Sequence, residues 1–201
     1  MHDAAVAYKN LENVVYRIVL GRKGKAYELM LHFPPESFFH LAGLQHLSDI
    51  KFPSNNKERI YKEILRGKVT EATIRKSVFF EPYHLEERIS NLHLMDTMLT
   101  SDSITYLINP KLYRQFCEIR ADYLCKYEKT KSDIFYLFSV IVRSCSRFAN
   151  ECHGCSFFKM HERDYTRGCA LTTTLLIQRI INMGKTDEFV ETIYKNRVYQ
   201  A

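Results

Sequence analysis

The segment VVYRIVLGRKGKAYELMLHF, residues 14–33, is the part of the sequence from which the fold is most directly read. Side chains of alternating character run through residues 15–20 and again through residues 27–33, with the period of two that β-strands show. The Gly-Arg-Lys-Gly-Lys stretch between them, residues 21–25, has the glycines of a tight turn. The segment therefore predicts a β-hairpin.

The sequence beyond the hairpin changes from helical to strand patterns. The predicted helices span residues 3–13, 36–47, 57–67, 71–77, 81–100 and 187–195. The predicted strands span residues 104–108, 122–128, 134–142, 154–160 and 170–181, with polar turns at 129–133 and 161–168. Helices followed by strands indicate an α+β fold, with the N-terminal hairpin and helices packed on an antiparallel β-sheet.

The domain organisation follows from the same pattern. No linker, repeat or low-complexity stretch interrupts the chain, so we expect one domain over residues 1–201. Within it we expect a helical middle over about 55–100, a sheet-rich second half over about 103–181 and a C-terminal helix over about 187–195.

Composition excludes several classes of protein. With 46% hydrophobic residues among 201, the chain can bury a core, which excludes an intrinsically disordered protein. No apolar run approaches the roughly 18–20 residues of a spanning helix, and the first residues lack a signal-peptide pattern. We therefore expect a cytoplasmic protein without membrane partners. The net charge of +6 favours weak attraction to polyanions.

Six cysteines raise the question of disulfides or a metal. Disulfide frameworks belong to short secreted chains, so we expect free thiols here. Cys152 and Cys155 alone have metal-like spacing, and the second ligand pair of a zinc knuckle is missing. A small zinc-stabilised regulatory protein built on these two cysteines stays open as an alternative.

The helix predicted over residues 36–47 carries the first candidate for chemistry. His40 lies beside apolar neighbours on this helix, and Gly43 permits another group to approach closely. An imidazole titrates near neutral pH and can act as acid or base. A histidine at the edge of the core, with one hydrogen bond, is the alternative interpretation.

The second candidate is the basic segment over residues 155–168. Lys159, Arg163 and Arg167 can bind a phosphate and stabilise charge that develops on it. A solvated hairpin tip would show the same pattern. Glycine-rich phosphate loops and acidic metal clusters are missing, which counts against nucleotide hydrolysis and two-metal nuclease chemistry. Glu86 and Glu87 are expected on a solvated helix face.

Both segments resemble signature motifs of one protein family. FHLAGL, residues 39–44, resembles an FxHLxGL motif, and CSFF, residues 155–158, followed by DYTRG, residues 164–168, resembles an SFF…DYT[KR]G motif. The family is the fourth phage-associated group of nuclease-like proteins related to barnase, EndoU, colicin and RelE. Cys169 stands where that family commonly has glutamine, and Lys159 where it often has proline.

The resemblance implies a metal-independent endoribonuclease of toxin or phage type that needs no cofactor. RNA would be the substrate, and an immunity or antitoxin protein a further partner. It implies His40 as catalytic acid or base, with Arg163, Ser156, Tyr165 and Thr166 completing the catalytic set. The substrate-binding residues would be Lys159, His161, Arg167 and Thr173. A non-catalytic RNA- or protein-binding module on the same fold is the competing interpretation.

Overall fold

Strands β1 (Val14–Arg22) and β2 (Lys25–His32) form the predicted hairpin and pair antiparallel. Lys23 and Gly24 between them both have positive φ angles, 50° and 72°, as the two-residue hairpin turn requires. The connection is therefore shorter than the five-residue turn that the sequence predicts, because the pairing continues to Arg22 and Lys25.

The computed structural model describes residues 1–101, 103–114, 117–142, 150–182 and 188–199. The other strands in these ranges are β3 (Ile104–Ile108), β4 (Tyr123–Glu128), β5 (Ile134–Ile141), β6 (Glu151–Lys159), β7 (Cys169–Leu171), β8 (Thr173–Asn182) and β9 (Glu188–Lys195). The helices are α1 (His2–Lys9), α2 (Phe38–Leu41), α3 (Lys57–Leu65), α4 (Glu71–Ile74), α5 (Leu85–Ser90), α6 (Leu94–Thr100) and α7 (Pro110–Tyr113). None of these helices has both the length and the apolar character needed to cross a membrane.

The described strands form one sheet in the order β7-β3-β4-β5-β6-β2-β1-β8-β9. The α+β fold class is confirmed. All neighbouring strands pair antiparallel except β2 and β6, which are parallel, so the expectation of a wholly antiparallel sheet is wrong at this pair. The long stretch of chain between them gives the crossover that a parallel pair needs.

Two predicted helices are broken into shorter elements. The helix expected over residues 36–47 is α2 with a 3₁₀ turn on each side, and Gly43 breaks it with a φ of 77°. The helix expected over residues 81–100 consists of α5 and α6, separated by a turn. Periodicity located both helical regions, but it did not show where tertiary packing bends the chain.

The C-terminal helix predicted over residues 187–195 is wrong, since the described part of this segment is strand β9. Its residues pair antiparallel with β8, for example Val190 with Ile180. Phe189, Val190, Ile193 and Tyr194 fit a helical spacing as well as a strand. The segment forms a strand rather than a helix because the edge of β8 is available, and pairing there satisfies the hydrogen-bonding groups of both backbones.

The hairpin predicted around residues 161–168 is also absent from the described structure. Strand β6 pairs with β5 and β2, whereas the strands after the connection, β7 and β8, pair elsewhere in the sheet. Residues 161–168 therefore form a connection between distant strands. This connection begins at the end of β6, where the candidate site lies.

The sheet has buried residues on both faces. Phe135 and Leu137 of β5 belong to the main core under the helices, whereas Tyr136 and Phe138 belong to a second cluster. The two clusters therefore lie on opposite faces of the sheet, since side chains alternate along a strand. The second cluster supports Tyr165 and the connection after β6.

Candidate active site

A cleft of about 960 Å³ opens between two parts of the chain that are far apart in sequence. One wall comes from the segments around His46 and α5, and the other from β6 and the connection that follows it. Four Lys or Arg side chains and three histidines line the cleft, against two glutamates. The excess of cationic groups makes the cleft attractive to a polyanion.

Arg88 of α5 is the most unusual residue of this cleft. The side chain is buried, with the residue only 9% exposed, and its guanidinium carbon lies 5.3 Å from the centre of the Phe158 ring. Its Nε and Nη1 atoms have no hydrogen-bond partner, and no described carboxylate forms an ion pair with it. Burial lowers the pKa of Arg88 to about 10, an effect that nearby Tyr165 opposes. The group still carries its positive charge at pH 7.

Gly43 packs directly against this arginine. A Cβ atom at residue 43 would lie 2.8 Å from both Cδ and Nη1 of Arg88, which is closer than atoms pack in proteins. Gly43 also has a φ of 77°, a conformation that favours glycine. The glycine in the FHLAGL segment therefore leaves room for the Arg88 side chain and turns the chain toward His46.

His46 follows this turn and lines the cleft. Its imidazole stacks on the Tyr83 ring, with centroids 4.1 Å apart. Burial lowers the pKa of His46, and the positive charge of Arg88 and the neighbouring His40 lower it further. The imidazole is therefore neutral at pH 7, the form that accepts a proton.

A second histidine has the opposite kind of surroundings. His161 Nε2 lies 2.8 Å from a carboxylate oxygen of Glu87, and its ring stacks on that of His84 at 4.0 Å. A carboxylate at this distance accepts a hydrogen bond from an imidazole N–H and orients the ring. The cleft thus contains one histidine whose pKa is lowered and another whose ring is oriented by a carboxylate.

Lys159, at the end of β6, is already paired. Its Nζ lies 3.2 Å from Glu87 and 2.8 Å from Asp133. Hydrogen bonds to these two carboxylates raise the pKa of Lys159. The residue helps to hold Glu87 in the cleft, and less of its charge is available to a ligand.

The connection after β6 is held by an aspartate. Asp164 Oδ1 accepts hydrogen bonds from the Tyr136 hydroxyl at 2.8 Å and from the backbone and side chain of Thr166, each at 2.9 Å. Tyr165 packs among the aromatic rings of the second cluster, and the Arg163 guanidinium lies 5.3 Å from its ring centre. Thr166 therefore positions the connection, and Arg163 and Tyr165 face the cleft.

The structure brings together about half of the predicted site residues. Those that line the cleft are Ser156, Lys159, His161, Arg163 and Tyr165. Those that do not line it are His40, Thr166, Arg167 and Thr173. His40 instead accepts a hydrogen bond of 2.7 Å from Lys57, and Thr173 lines a separate pocket beside β9.

Sequence reasoning missed Arg88, His46 and His84, and it placed Glu87 on a solvated face. A signal for Arg88 does exist. Arg88 shares the helical spacing of the buried residues Leu85, Ile89 and Leu92, so it is a charged residue in an apolar stripe. No local pattern distinguishes Glu87, because its partners Lys159 and His161 come from a distant part of the chain.

The cysteines of the described residues are free, as expected, and Cys145 lies outside those residues. Cys152 belongs to the main core, whereas Cys155 packs against the second cluster. The two thiols therefore face different sides of the sheet. Neither belongs to the one group of described residues whose spacing suits a metal ion.

Comparison with known proteins places the chain in a family. No curated protein and no solved structure matches the chain. The family model described as phage-Barnase-EndoU-ColicinE5/D-RelE like nuclease4 matches residues 1–199, which includes both motifs and every residue of the cleft. The chain therefore belongs to this family of nuclease-like proteins.

Proposed function

We propose that the protein is an endoribonuclease that cleaves RNA in this cleft by attack of a 2′-hydroxyl on the adjacent phosphate. The observation that carries the proposal is the buried guanidinium of Arg88, whose Nε and Nη1 atoms have no hydrogen-bond partner. A buried charge without a partner is costly unless a ligand supplies the opposite charge. An RNA phosphate would supply that charge and would take hydrogen bonds from Arg88.

Two of the three cleft histidines, His46 and His161, suit the proton transfers of this reaction. His46, held neutral, takes the proton of the 2′-hydroxyl as its oxygen attacks phosphorus. His161, oriented by Glu87, gives a proton to the departing 5′-oxygen. The P–O5′ bond breaks, and the products are a 2′,3′-cyclic phosphate and a free 5′-hydroxyl. Arg88 stabilises the charge that develops on the phosphate oxygens.

These roles differ from the assignment based on the family motif. His40 lies outside the cleft lining, but its proximity contributes to the lowered pKa of His46. We therefore propose an indirect role for His40.

Tyr83 and Tyr165 offer aromatic surfaces at the cleft on which unpaired bases can stack, which favours single-stranded RNA. The free thiols are consistent with action in a reducing cytoplasm.

The test is cleavage of end-labelled RNA by the purified protein in buffer with EDTA. We expect fragments that end in a 2′,3′-cyclic phosphate, because side chains of the cleft supply the acid, base and cation. The matched control is the same RNA with a single 2′-deoxynucleotide before the cleaved bond, which lacks the nucleophile. Cleavage at that deoxynucleotide would contradict the mechanism. RNA that is bound but never cleaved would instead favour the non-catalytic binding module.

Gly43→Ala is expected to lower both stability and RNA cleavage. The positive φ costs an alanine about 1–2 kcal/mol of folding free energy. The added Cβ also displaces Arg88, so we expect kcat/KM to fall by about tenfold or more. Gly67→Ala is the matched control, because Gly67 has a φ of 71° and open space where an added Cβ would lie. Equal activity losses in the two variants would show that the contact with Arg88 is unimportant.

A further inference from the structure

His32, Glu151 and His153 form a cluster away from the cleft. One ligand atom of each side chain lies within 4.8 Å of the ligand atoms of the other two. His153 Nε2 is 3.7 Å from a carboxylate oxygen of Glu151, and the two imidazole rings lie 4.2 Å apart at 89°. Two imidazoles and a carboxylate are a ligand set found in zinc sites.

The backbone holds this cluster in a defined arrangement. His32 on β2 lies directly opposite His153 on β6, and Glu151 precedes His153 by two residues on the same strand. Their neighbours Leu31 and Cys152 are buried in the main core, so the three side chains share the other face of the sheet. Paired strands keep the three ligands in register without a flexible loop.

We propose that His32, Glu151 and His153 bind one Zn²⁺ ion, with water as its fourth ligand. A tetrahedral zinc ion with Zn–N bonds of about 2.0–2.1 Å places its ligand atoms about 3.3 Å from one another. The side chains therefore need to move by no more than about 1.5 Å, which rotation about their χ angles provides. Imidazole and carboxylate ligands together favour zinc over magnesium, which prefers oxygen alone.

The state of His32 agrees with this assignment. Its Nε2 atom is buried and makes no hydrogen bond of acceptable geometry. A carboxylate oxygen of Glu151 nevertheless lies in contact with this atom. The side chains of His32 and His153 are 24% and 26% exposed, which leaves an ion access from solvent.

The position gives the ion a structural role. The pairing of β2 with β6 is the single connection in the described sheet between the strands β7-β3-β4-β5-β6 and the strands β2-β1-β8-β9. That pairing extends over only three residue pairs, from Met30–Glu151 to His32–His153. Zinc held by His32 and His153 would add a second link between the two halves of the sheet, beside their three backbone residue pairs.

The experiment is equilibrium dialysis of chelator-stripped full-length protein against Zn²⁺, followed by metal analysis and thermal unfolding. We expect one equivalent of retained zinc and a Tm increase of about 5–10 °C at a zinc concentration 100-fold above Kd. His32→Gln and His153→Gln are expected to lose both effects. The matched control is His93→Gln, which alters a histidine outside the cluster and the cleft and should keep both.

Several outcomes would overturn the proposal. Wild-type protein that retains no zinc would do so, as would histidine variants that keep it or a Cys155→Ser variant that loses it. The absorption spectrum of wild-type protein loaded with Co²⁺ is a second check, and it does not depend on whether the variants fold. Thiolate ligands add a near-ultraviolet charge-transfer band that imidazole and carboxylate ligands lack. Such a band would contradict the assignment. Cleavage of RNA in EDTA is a separate measurement, so failure of the proposed nuclease activity stays distinguishable from failure of the zinc site.

Discussion

Arg88→Met is expected to stabilise the protein and at the same time to abolish most of its RNA cleavage. The guanidinium is buried with two nitrogen atoms lacking hydrogen-bond partners, which costs folding free energy that an apolar side chain does not lose. We expect the free energy of unfolding to rise by about 1–3 kcal/mol. We expect kcat/KM for RNA cleavage to fall by about 10²–10³-fold, because the developing phosphate charge loses its cation.

The opposite signs of these two effects make the prediction selective. A residue that only supports the fold would lose stability and activity together on substitution. Denaturant unfolding and initial rates on a labelled RNA measure the two quantities separately. Arg66→Met is the matched control, because Arg66 follows α3 directly and pairs with Glu63 away from the cleft. A less stable Arg88→Met protein with unchanged cleavage would refute the phosphate-binding role.

Arg88→Lys refines the same prediction. Lysine keeps the positive charge but lacks the planar fork that donates two parallel hydrogen bonds to a phosphate. We expect it to recover part of the activity lost in Arg88→Met without recovering all of it. Full recovery would show that charge alone matters at this position.

His46→Gln is expected to reduce kcat for RNA cleavage by about 10²–10⁴-fold, since glutamine cannot take the proton of the 2′-hydroxyl. RNA binding should change little, because the positive charges of the cleft stay in place. Single-turnover rates and equilibrium binding of a 2′-deoxy substrate analogue separate these two quantities. His40→Gln is the discriminating control, since His40 does not line the cleft and is expected to retain most activity. Equal losses in both variants would assign the catalytic role to His40 instead.

The pH dependence of cleavage follows from the state of His46. A general base must be unprotonated, so activity falls as the pH drops through its pKa. Burial, Arg88 and His40 lower that pKa, and the acidic limb of kcat/KM is therefore expected below pH 6.5. Removing the charge at residue 88 raises this pKa again. The residual activity of Arg88→Met should accordingly show an acidic limb shifted to higher pH.

Local patterns predicted most elements of the fold, and the errors have a common cause. The hairpin of β1 and β2 and the strands β3 to β6 lie where alternation predicted them. The segment now seen as β9 is compatible with a helix and with a strand, and only the edge of β8 decides. The same holds for the parallel pairing of β2 with β6, because periodicity carries no information about strand direction.

The sequence by itself determined the α+β class, the two motifs and the family, and about half of the site residues that it named line the cleft. Only the tertiary structure showed that Arg88 lines that cleft with two guanidinium nitrogens lacking hydrogen-bond partners, and that His46 lines it while His40 does not. The physical reason is that neighbouring residues determine whether a charged group is buried and whether it has a hydrogen-bond partner. Gly43, Phe158 and Tyr165 surround Arg88 from distant parts of the chain, and no local pattern records that they meet.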